Sequence, residues 1–419
     1  MTLQTIAQLI MLATLILMIT GRTPIYMTAI TGAAISAIVA GFPLAGGQGM
    51  TVTKMIVSGL NPVIADMTGI LLFIGIMQAT GFLDVIIRDI VRVGNKIGGG
   101  VGVGAAGGVA AGVIGALTGF TQPVITAVIT GPAAVRLGVK PNQSAGIIAH
   151  AGHIGNLAGF THPTQVAILA TAGIGYGLFN VLGLIAAGSI FVMSAIRITI
   201  DMKRRGVKID AAEKERILKE IESREYSTTS WKAFFPFIVG MPIFLVGLAS
   251  AMATMILAHS KPKEAEAAMM KGVSLIATPL VATIGFLFMS TVIREIGMVN
   301  TMSTLVSPVM SISPVLVLFG VAFLTGFMTQ SYAASVAVLV PFLQVTLQAG
   351  ADPFAAAFAA ASGASLIQYF LTGGPVAALA TVIPVIPGSD LKGANAFQRP
   401  SILFGCLVAF LITFCLNLL

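Results

Sequence analysis

The chain has 419 residues, of which 56% are hydrophobic and only 9% are charged, and its formal net charge is +8 at pH 7. Soluble domains carry about 25% charged residues, so this composition excludes a soluble globular protein and predicts an integral membrane protein. The apolar runs are continuous and do not alternate with period two, which argues against a transmembrane β-barrel.

Apolar runs close to the length that crosses a bilayer, about 20 residues, begin at the N-terminus. Residues 5–20, 24–41 and 65–82 predict the first spans. The first of them has no basic region before it, so we expect a retained span and not a signal peptide. The segment "FLDVIIRDIVRVGNK" then predicts an interfacial helix, and the glycine-rich run after it predicts closely packed helices. A further span is expected at 178–199.

One long hydrophilic stretch, Asp201 to Lys232, holds nine of the 23 Lys and Arg residues. Because the positive charge is concentrated here, it does not indicate nucleic-acid binding; the positive-inside rule instead places the stretch in the cytoplasm. We expect a solvated linker with a short surface helix. It divides the chain into an N-terminal transmembrane repeat, 1–199, a linker, 200–232, and a C-terminal transmembrane repeat, 233–419.

The second half offers spans at 233–257 and 273–290 and an interfacial piece, "REIGMVNTMSTLV". A broken region at 313–388 and a last helix at 401–418 follow. Both cysteines lie in that last helix, which predicts neither a disulfide framework nor a metal cluster.

The two halves share sequence patterns in the same order. "TGFTQP" recurs as "TGFMTQS", and "AHAGHIGNLAGFTHPTQVAILAT" has a counterpart in "ASGASLIQYFLTGGPVAALAT". Repeated motifs with interrupted apolar segments are typical of transporters built from structural repeats. The sequence therefore predicts an all-α polytopic membrane protein with two inverted repeats, broken helices or re-entrant hairpins, and about 10–12 spans.

The predicted helix breaks lie at 118–123, 155–163, 325–331 and 367–375. Broken backbone at membrane depth survives only where it is buried in protein or lines a cavity. A helix that restarts after a break also points its N-terminal amides at that space, which favours an anion. The breaks are therefore the predicted transport site.

Polar residues at these breaks are the predicted ligands of the transported solute. Thr161 is also expected to be the N-cap of a helix with Pro163 in its first turn. The predicted substrate-binding residues are Gln122, Asn156, Thr161, His162, Thr164, Gln330, Ser331, Ser365, Thr372 and Gly373.

Three ionisable residues are candidates for proton coupling. His150 and His153 are three residues apart, so they share a helix face, and histidine titrates near neutral pH. Neutral histidines bonded to the backbone are the structural alternative. Asp66 is interpreted as a helix cap or as a proton or sodium site. A zinc site is not expected, because no Cys, Asp or Glu lies near the histidines to complete the ligand set, and no cofactor is predicted.

With these features the sequence resembles the ion transporter superfamily, most closely the gluconate permease, lactate permease and anaerobic dicarboxylate carriers. The segments that carry the resemblance are "QATGFLDVIIRDIV", "HAGHIGNLAGFTHPTQVAILA" and "MSISPVLVLFGVAFLTGFMTQSYAASVAVLVPFL". The resemblance implies a dimeric secondary carrier for organic anions. The superfamily's sodium-coupled dicarboxylate branch has paired Ser-Asn-x-Thr motifs, whereas this chain has Gly155-Asn156-Leu157-Ala158, which favours protons over sodium.

The expected function is therefore proton-coupled symport of a small carboxylate across the bacterial inner membrane, and not an enzymatic activity. The alternatives are a sodium/proton antiporter and a sodium-coupled dicarboxylate carrier. A histidine-dependent metalloenzyme in the membrane and a passive channel are the candidates from other classes.

Overall fold

The computed structural model describes the chain except for residues 1, 21–22, 47, 59–61, 119–120, 122, 209–210, 223–226, 239–243, 276 and 372–376. The described residues form helices joined by short turns, with no β-strand among them. The predicted all-α class is thus confirmed. The first half contains α1 Leu3–Thr20, α2 Ile25–Val39, α3 Val52–Ser58, α4 Pro62–Ala79, α5 Phe82–Thr118, α6 Val124–Arg136, α7 Pro141–Ala149, α8 Ala151–Leu157, α9 Pro163–Ala172 and α10 Leu178–Arg204.

The second half follows the linker helix α11. Its helices are α12 Ser230–Ile238, α13 Phe244–Leu257, α14 Pro262–Leu275, α15 Ala277–Glu295, α16 Met298–Met310, α17 Pro314–Thr329, α18 Tyr332–Gln348, α19 Pro353–Ile367, α20 Ala377–Val382 and α21 Leu391–Leu418; α11 spans Ala211–Glu222. A short 3₁₀ turn, Ile383–Val385, follows α20.

Four described helices are long and apolar enough to cross a bilayer on length and composition, namely α1, α5, α10 and α21. The pair α15 and α16, bent by 71°, would make a fifth, and six further apolar helices are shorter. Among these four long helices, α5 is counted as a single helix, although its backbone bends at Gly99. The apolar surface and these lengths fit a polytopic membrane protein, while the total of about 10–12 spans stays a prediction.

The predicted interfacial helix and the glycine-rich run are the two arms of α5. They meet at Gly99, whose φ of 52° residues with a side chain rarely adopt. The arms fold back on each other, and Gly94 and Gly102 approach so closely that neither has room for a Cβ. Glycine is thus required at this elbow by both backbone geometry and packing.

The centre of the protein is formed by one element from each half. Every residue from Gln143 to Gly159, in α7, α8 and the following turn, is buried, and so is every residue from Ala355 to Ile367 in α19. Small residues in both stretches let neighbouring helices approach closely. α5 and α10 flank α7 and α8, while α17 and α21 flank α19, and α10 also packs on α21.

The order of elements in the second half follows that in the first. A helix, a break and a second helix (α5 and α6; α17 and α18) precede a buried helix with its own break (α7–α9; α19 and α20), and a long helix closes each half (α10; α21). That the halves are related by inversion in the membrane, and the predicted domain limits, stay predictions.

The surface helix predicted in the linker is confirmed as α11, and most of its described side chains are exposed, but it also packs against the protein. Ile217 is only 1% exposed and lies in a cluster with Val91 and Leu137. Glu213 also lies 3.5 Å from Arg136. The burial of Ile217 and the Glu213–Arg136 ion pair therefore help to hold α11 against α5 and α6.

The interpretation of Asp66 as a helix cap is also wrong. α4 begins at Pro62, so Asp66 lies in its second turn and not before its first residue. The side chain of Asp66 falls outside the described part, and its proposed role in ion coupling stays a prediction.

Candidate functional site

The break in the first half separates α8 from α9. α8 ends at Leu157 and α9 begins at Pro163. The residue at the N-cap position is His162, with an extended backbone, and its side chain makes no capping hydrogen bond. The expectation that Thr161 caps this helix is therefore wrong, because Pro163 occupies the first helical position and places the cap one residue later.

Side chains from outside this break bind its backbone carbonyls. The amide of Asn180 donates to two carbonyls, the amide of Gln165 to one, and the hydroxyl of Tyr176 to another. The bonds are Asn180 Nδ2 to Ala158 O at 3.1 Å and to Gly159 O at 2.9 Å, Gln165 Nε2 to Gly159 O at 2.6 Å, and Tyr176 OH to Phe160 O at 2.6 Å. Buried backbone polar groups require such partners, so these hydrogen bonds stabilise the non-helical conformation of the segment.

The break between α17 and α18 is shorter than predicted. It consists of Gln330, in the left-handed region with φ 50°, and Ser331. A residue other than glycine in this region is uncommon. Ser331 caps α18, because its Oγ accepts a hydrogen bond from the Ala334 amide at 3.2 Å. Both predicted residues are half-buried, and Ser331 has a structural role whatever else it binds.

Hydrogen bonds join the breaks of the two halves. Asn156 Nδ2 donates to the Tyr369 hydroxyl at 3.0 Å, and Thr164 Oγ1 donates to the Tyr332 carbonyl at 3.1 Å. The rings of His162 and Tyr332 are 4.8 Å apart. Three predicted residues of the first half are thus brought against the second half.

Gln368 connects this contact to α19. Its Oε1 accepts from the Tyr332 amide at 2.8 Å, and its Nε2 donates to the Ser365 carbonyl at 2.9 Å. Ser365 therefore belongs to the same cluster as His162 and Tyr332. These breaks meet in one region, which we call the junction. It comprises residues 156–165 of the first half and residues 330–332 and 362–369 of the second half.

The junction concentrates buried polar atoms that have no hydrogen-bond partner in the part of the chain the structure describes. An unpaired buried donor or acceptor costs about 1–3 kcal/mol, so a cluster of them marks a place for a polar ligand or bound water. Six such atoms lie here: Thr161 Oγ1, His162 Nδ1, Gln165 Oε1, Tyr332 OH, Ser362 Oγ and Ser365 Oγ.

Two helices begin at the junction, α9 at Pro163 and α18 at Tyr332. The N-terminal end of a helix carries a partial positive charge, and its first amides have no acceptor within the helix. In α18 the Tyr332 and Ala334 amides are already bonded, to Gln368 Oε1 and Ser331 Oγ. The partial positive charge of each helix end therefore favours a negatively charged group near it.

Arg399, which was not among the residues predicted from the sequence, lies beside the break that follows α19. Arg399 of α21 donates from Nε to the Phe370 carbonyl at 3.0 Å and to Asn395 Oδ1 at 3.0 Å, and its guanidinium lies 5.4 Å from the centre of the Phe370 ring. It brings positive charge to the residues that follow α19.

The two histidines proposed for proton coupling lie next to the junction, on the side of α10 and α21. His150 Nε2 is 2.8 Å from Ser194 Oγ, which donates to Ser401 Oγ at 2.8 Å. Gln398 Nε2 lies 3.4 Å from His150 Nδ1. Because an amide nitrogen can only donate, this geometry fits a neutral His150 that carries its proton on Nε2.

His153 lies between His150 and the junction. Its ring centre is 5.2 Å from that of His150 and 4.8 Å from that of Tyr369. Its Nδ1 is 3.2 Å from the His150 carbonyl, while its buried Nε2 has no partner among the described residues. The pair thus leads from Ser194 to the hydroxyl that Asn156 binds.

Several predicted residues cannot be placed. Gln122, Thr372 and Gly373 lie outside the described residues. Within the described ranges no group of three or more His, Cys, Asp or Glu side chains is arranged to hold a metal ion.

The sequence prediction missed Tyr332, Tyr369 and Arg399. A signal for the tyrosines was present, because the chain has only five of them. The hydroxyls of Tyr176 and Tyr369 form hydrogen bonds at the breaks, and the ring of Tyr332 packs on His162. Arg399 also stood out as a charge near the start of a long apolar run.

No family model matches this chain, and no curated protein matches it. Solved structures that share its fold include the YdaH transporter of Alcanivorax borkumensis, with a TM-score of 0.62, 13% identity and 97% of each chain covered. They also include Neisseria gonorrhoeae MtrF, described within a class of antimetabolite efflux pumps, with a TM-score of 0.60, 13% identity, and 94% of this chain and 95% of that one covered. At this identity the likeness shows the fold. The resemblance to the ion transporter superfamily stays a prediction, and the chain is an all-helical membrane protein with the architecture of these two proteins.

Proposed function

We propose that the protein is a secondary active transporter that moves a small organic anion, a carboxylate, together with protons. The observation that carries this proposal is the set of six buried polar atoms at the junction that have no hydrogen-bond partner among the described residues. Hydroxyl, imidazole and amide groups of this kind bind the oxygens of a carboxylate, and the ends of α9 and α18 favour its charge.

Secondary transport is supported by the position of the junction between the two halves. In carriers built from repeats, the substrate lies at the repeat interface between discontinuous helices. The Asn156–Tyr369 and Thr164–Tyr332 bonds cross this interface, so relative movement of the halves would break or remake them. That the protein acts in the inner membrane and as a homodimer is part of the proposal.

Protons are the proposed coupling ion. His150 and His153 form a buried pair whose second ring touches Tyr369, itself bonded to Asn156. A proton on His153 would add positive charge beside the bound anion. Binding of the proton would therefore favour binding of the anion, and binding of the anion would favour binding of the proton. An ionisable group at membrane depth is by default a functional candidate.

Export is the second candidate for the direction of transport. It is favoured by the shared fold with MtrF, which is described as belonging to a class of efflux pumps. Export would use the same site and the same chemistry as import. The direction of the proton gradient that drives accumulation distinguishes export from import.

The proposal is tested in proteoliposomes with ¹⁴C-labelled gluconate, lactate and succinate as probes. We expect saturable accumulation of at least one probe when the outside is acidic, and loss of that accumulation with a protonophore. Thr161→Val should reduce it about tenfold, roughly the loss of one hydrogen bond to a charged group. Thr31→Val, which removes an exposed hydroxyl bonded to its own helix, is the matched control.

Three results would contradict the proposal. Cation-driven proton flux with no organic anion present would favour the sodium/proton antiporter. Accumulation driven by sodium alone would favour the sodium-coupled carrier. Equal transport by Thr161→Val and wild type would remove the junction as the site.

A further inference from the structure

A groove of about 760 Å³ opens at the elbow of α5, between its two arms and the C-terminal part of α10. This is within the range of cavities that hold small ligands. Glycine and alanine residues from the α5 arms form much of the lining, among them Gly98, Gly102 and Ala105. Since these residues have little or no side chain, they leave room for the groove, and its lining is mainly apolar.

Two lysines contribute positive charge to the lining of the groove. Among the described lining residues the polar side chains are those of Thr199, Lys203 and Lys214. Lys203 comes from the last turn of α10 and Lys214 from α11. Lys214 Nζ donates to the Lys96 carbonyl at 3.3 Å, which holds this lysine against the elbow.

The neighbouring acids are already paired with other cations. Asp201 binds Lys140 at 2.9 Å and Arg205 at 2.8 Å. Glu213 lies 3.5 Å from both Arg136 and Arg216. Within the described residues, neither groove lysine takes part in an ion pair, so both charges are available to an anion.

The groove also faces the lipid. Ile97 at the elbow is 83% exposed, and Val93, on the same arm, is 54% exposed. Ile196 and Ile200 on the adjoining surface of α10 are exposed as well. In a membrane protein, exposed side chains of this kind contact acyl chains. The groove thus opens on an exposed apolar surface of α5 and α10, while its lysines come from the last turn of α10 and from the linker helix α11.

We propose that this groove binds one anionic phospholipid of the leaflet that faces the linker. Its phosphate lies between Lys203 and Lys214, and an acyl chain follows the glycine-lined floor. Basic pockets between membrane helices at this level suit anionic headgroups, and lysine side chains extend along apolar surface toward the headgroup plane. The site is separate from the junction and does not depend on the proposed transport activity.

Native mass spectrometry of the full-length chain in detergent tests the site, with added phosphatidylglycerol or phosphatidylcholine as probes. We expect wild type to retain phosphatidylglycerol at least tenfold more than phosphatidylcholine. The double variant Lys203→Gln/Lys214→Gln should retain the two lipids equally. Arg216→Gln/Lys219→Gln removes the same charge from residues that do not line the groove, and should keep the preference.

A second variant tests the apolar part of the groove. Ala105→Phe fills the floor without changing charge, and we expect it to lose retention of phosphatidylglycerol. Equal loss in the Arg216→Gln/Lys219→Gln control would mean a diffuse charge effect and would overturn the site. Competition by millimolar glycerol 3-phosphate would indicate a site for free anions and would also overturn the lipid proposal. If the lysine variant misfolds, lipid retention by Ala105→Phe and competition by glycerol 3-phosphate still test the proposed site.

Discussion

Hydroxyl groups at the junction have two different roles. Ser331 holds the backbone, because it accepts the Ala334 amide and caps α18. The buried hydroxyls of Thr161 and Ser365 have no partner among the described residues, so neither stabilises the backbone in this way. Removing the first kind of hydroxyl should therefore affect folding, and removing the second kind should affect binding.

Ser365→Ala and Ser331→Ala separate these roles. Ser365→Ala should leave the melting temperature unchanged or raise it, because a desolvated, unpaired hydroxyl is lost, while it raises the KM for the transported probe about tenfold. Ser331→Ala should lower stability by about 1 kcal/mol, the usual value of an N-cap. Thermal unfolding and uptake kinetics measure both. A lowered melting temperature in Ser365→Ala with unchanged KM would show that its hydroxyl is structural.

The Asn156–Tyr369 bond predicts coupling between the halves. Asn156→Ala and Tyr369→Phe each remove the bond, while the ring beside His153 is retained in Tyr369→Phe. Each should reduce transport kcat/KM by about 5- to 10-fold, the range of one buried hydrogen bond, and the double variant should be little worse than either. Uptake rates for the four proteins give the coupling free energy. Fully additive losses would mean that the two residues act independently.

At this scale the sequence predicts which polar residues matter better than what each one binds. Asn156, His162, Thr164 and Ser365 could be chosen because polar groups are costly in apolar sequence. Their partners, Tyr332 and Tyr369, come from the other half, and no local pattern pairs residues so far apart.

At the scale of elements, glycines set the distance between the helices that carry the junction. A Cβ on Gly155 of α8 would overlap Thr121 Oγ1, and the next nearest atom is 3.4 Å away. One side chain therefore accounts for the whole obstruction, and the position offers a suppressor experiment.

Gly155→Ala should destabilise the protein by about 1–3 kcal/mol, as overpacking of a tight contact does. Adding Thr121→Ala removes the overlapping atom and should restore most of that loss. The free energy of unfolding, or the melting temperature in detergent, checks both variants, with Thr121→Ala alone as the control. An unrescued double variant would place the obstruction elsewhere.

A cap joins the start of α21 to α7. Asp390 accepts from the Gly393 amide at 2.7 Å and from Asn142 Nδ2 at 2.8 Å. The Gly393 amide first, and Asn142 next, hold the pKa of the Asp390 carboxyl below its ordinary value of 3.8. Because the folded pKa is lowered, the stabilisation is complete above about pH 3.8 and is lost as the pH falls through the folded pKa.

Asp390→Ala should therefore lower the melting temperature at pH 7, and the gap to wild type should shrink as the pH falls below 3.8. Thermal unfolding between pH 7 and pH 3 measures this gap. A gap of the same size at both ends of the range would mean that the carboxylate charge makes no contribution to the cap.

The existence of most elements is predictable from apolar length, and their ends are less so. α4 begins three residues before the predicted span, which moves Asp66 away from a cap. The docking of α11 depends on Ile217, and its charged sequence alone indicates a solvated surface. The glycine run predicts close packing, but the reversal at Gly99 depends on a backbone angle.

At the scale of the whole molecule, each half supplies part of the proposed site. α8 and α9 belong to the first half and α18 and α19 to the second, and the bonds across the junction join them. The order of motifs in the sequence indicates two related halves, since each repeats a break before its long last helix. Which breaks face each other depends on tertiary packing, so a single sequence does not give the junction itself.

The proposed proton path belongs to the scale of the whole molecule, because its residues come from α8, α10 and α21. His150→Gln and His153→Gln should retain binding of the anion but lose at least tenfold of the accumulation that an acidic outside produces. Binding is measured by thermal shift with the active probe, and accumulation by uptake at equal and unequal pH. Unchanged dependence on the pH gradient in both variants would remove the histidines from coupling.

The most direct test of the central claim is accumulation of a labelled carboxylate, under an imposed proton gradient, by proteoliposomes that contain the Thr161→Val/Ser365→Ala double variant. Both hydroxyls lie at the junction and have no hydrogen-bond partner within the part of the chain that the structure describes. The predicted result is folded protein with a wild-type melting temperature and at least a tenfold loss of accumulation. Wild-type accumulation by this variant would contradict the assignment of the junction as the transport site.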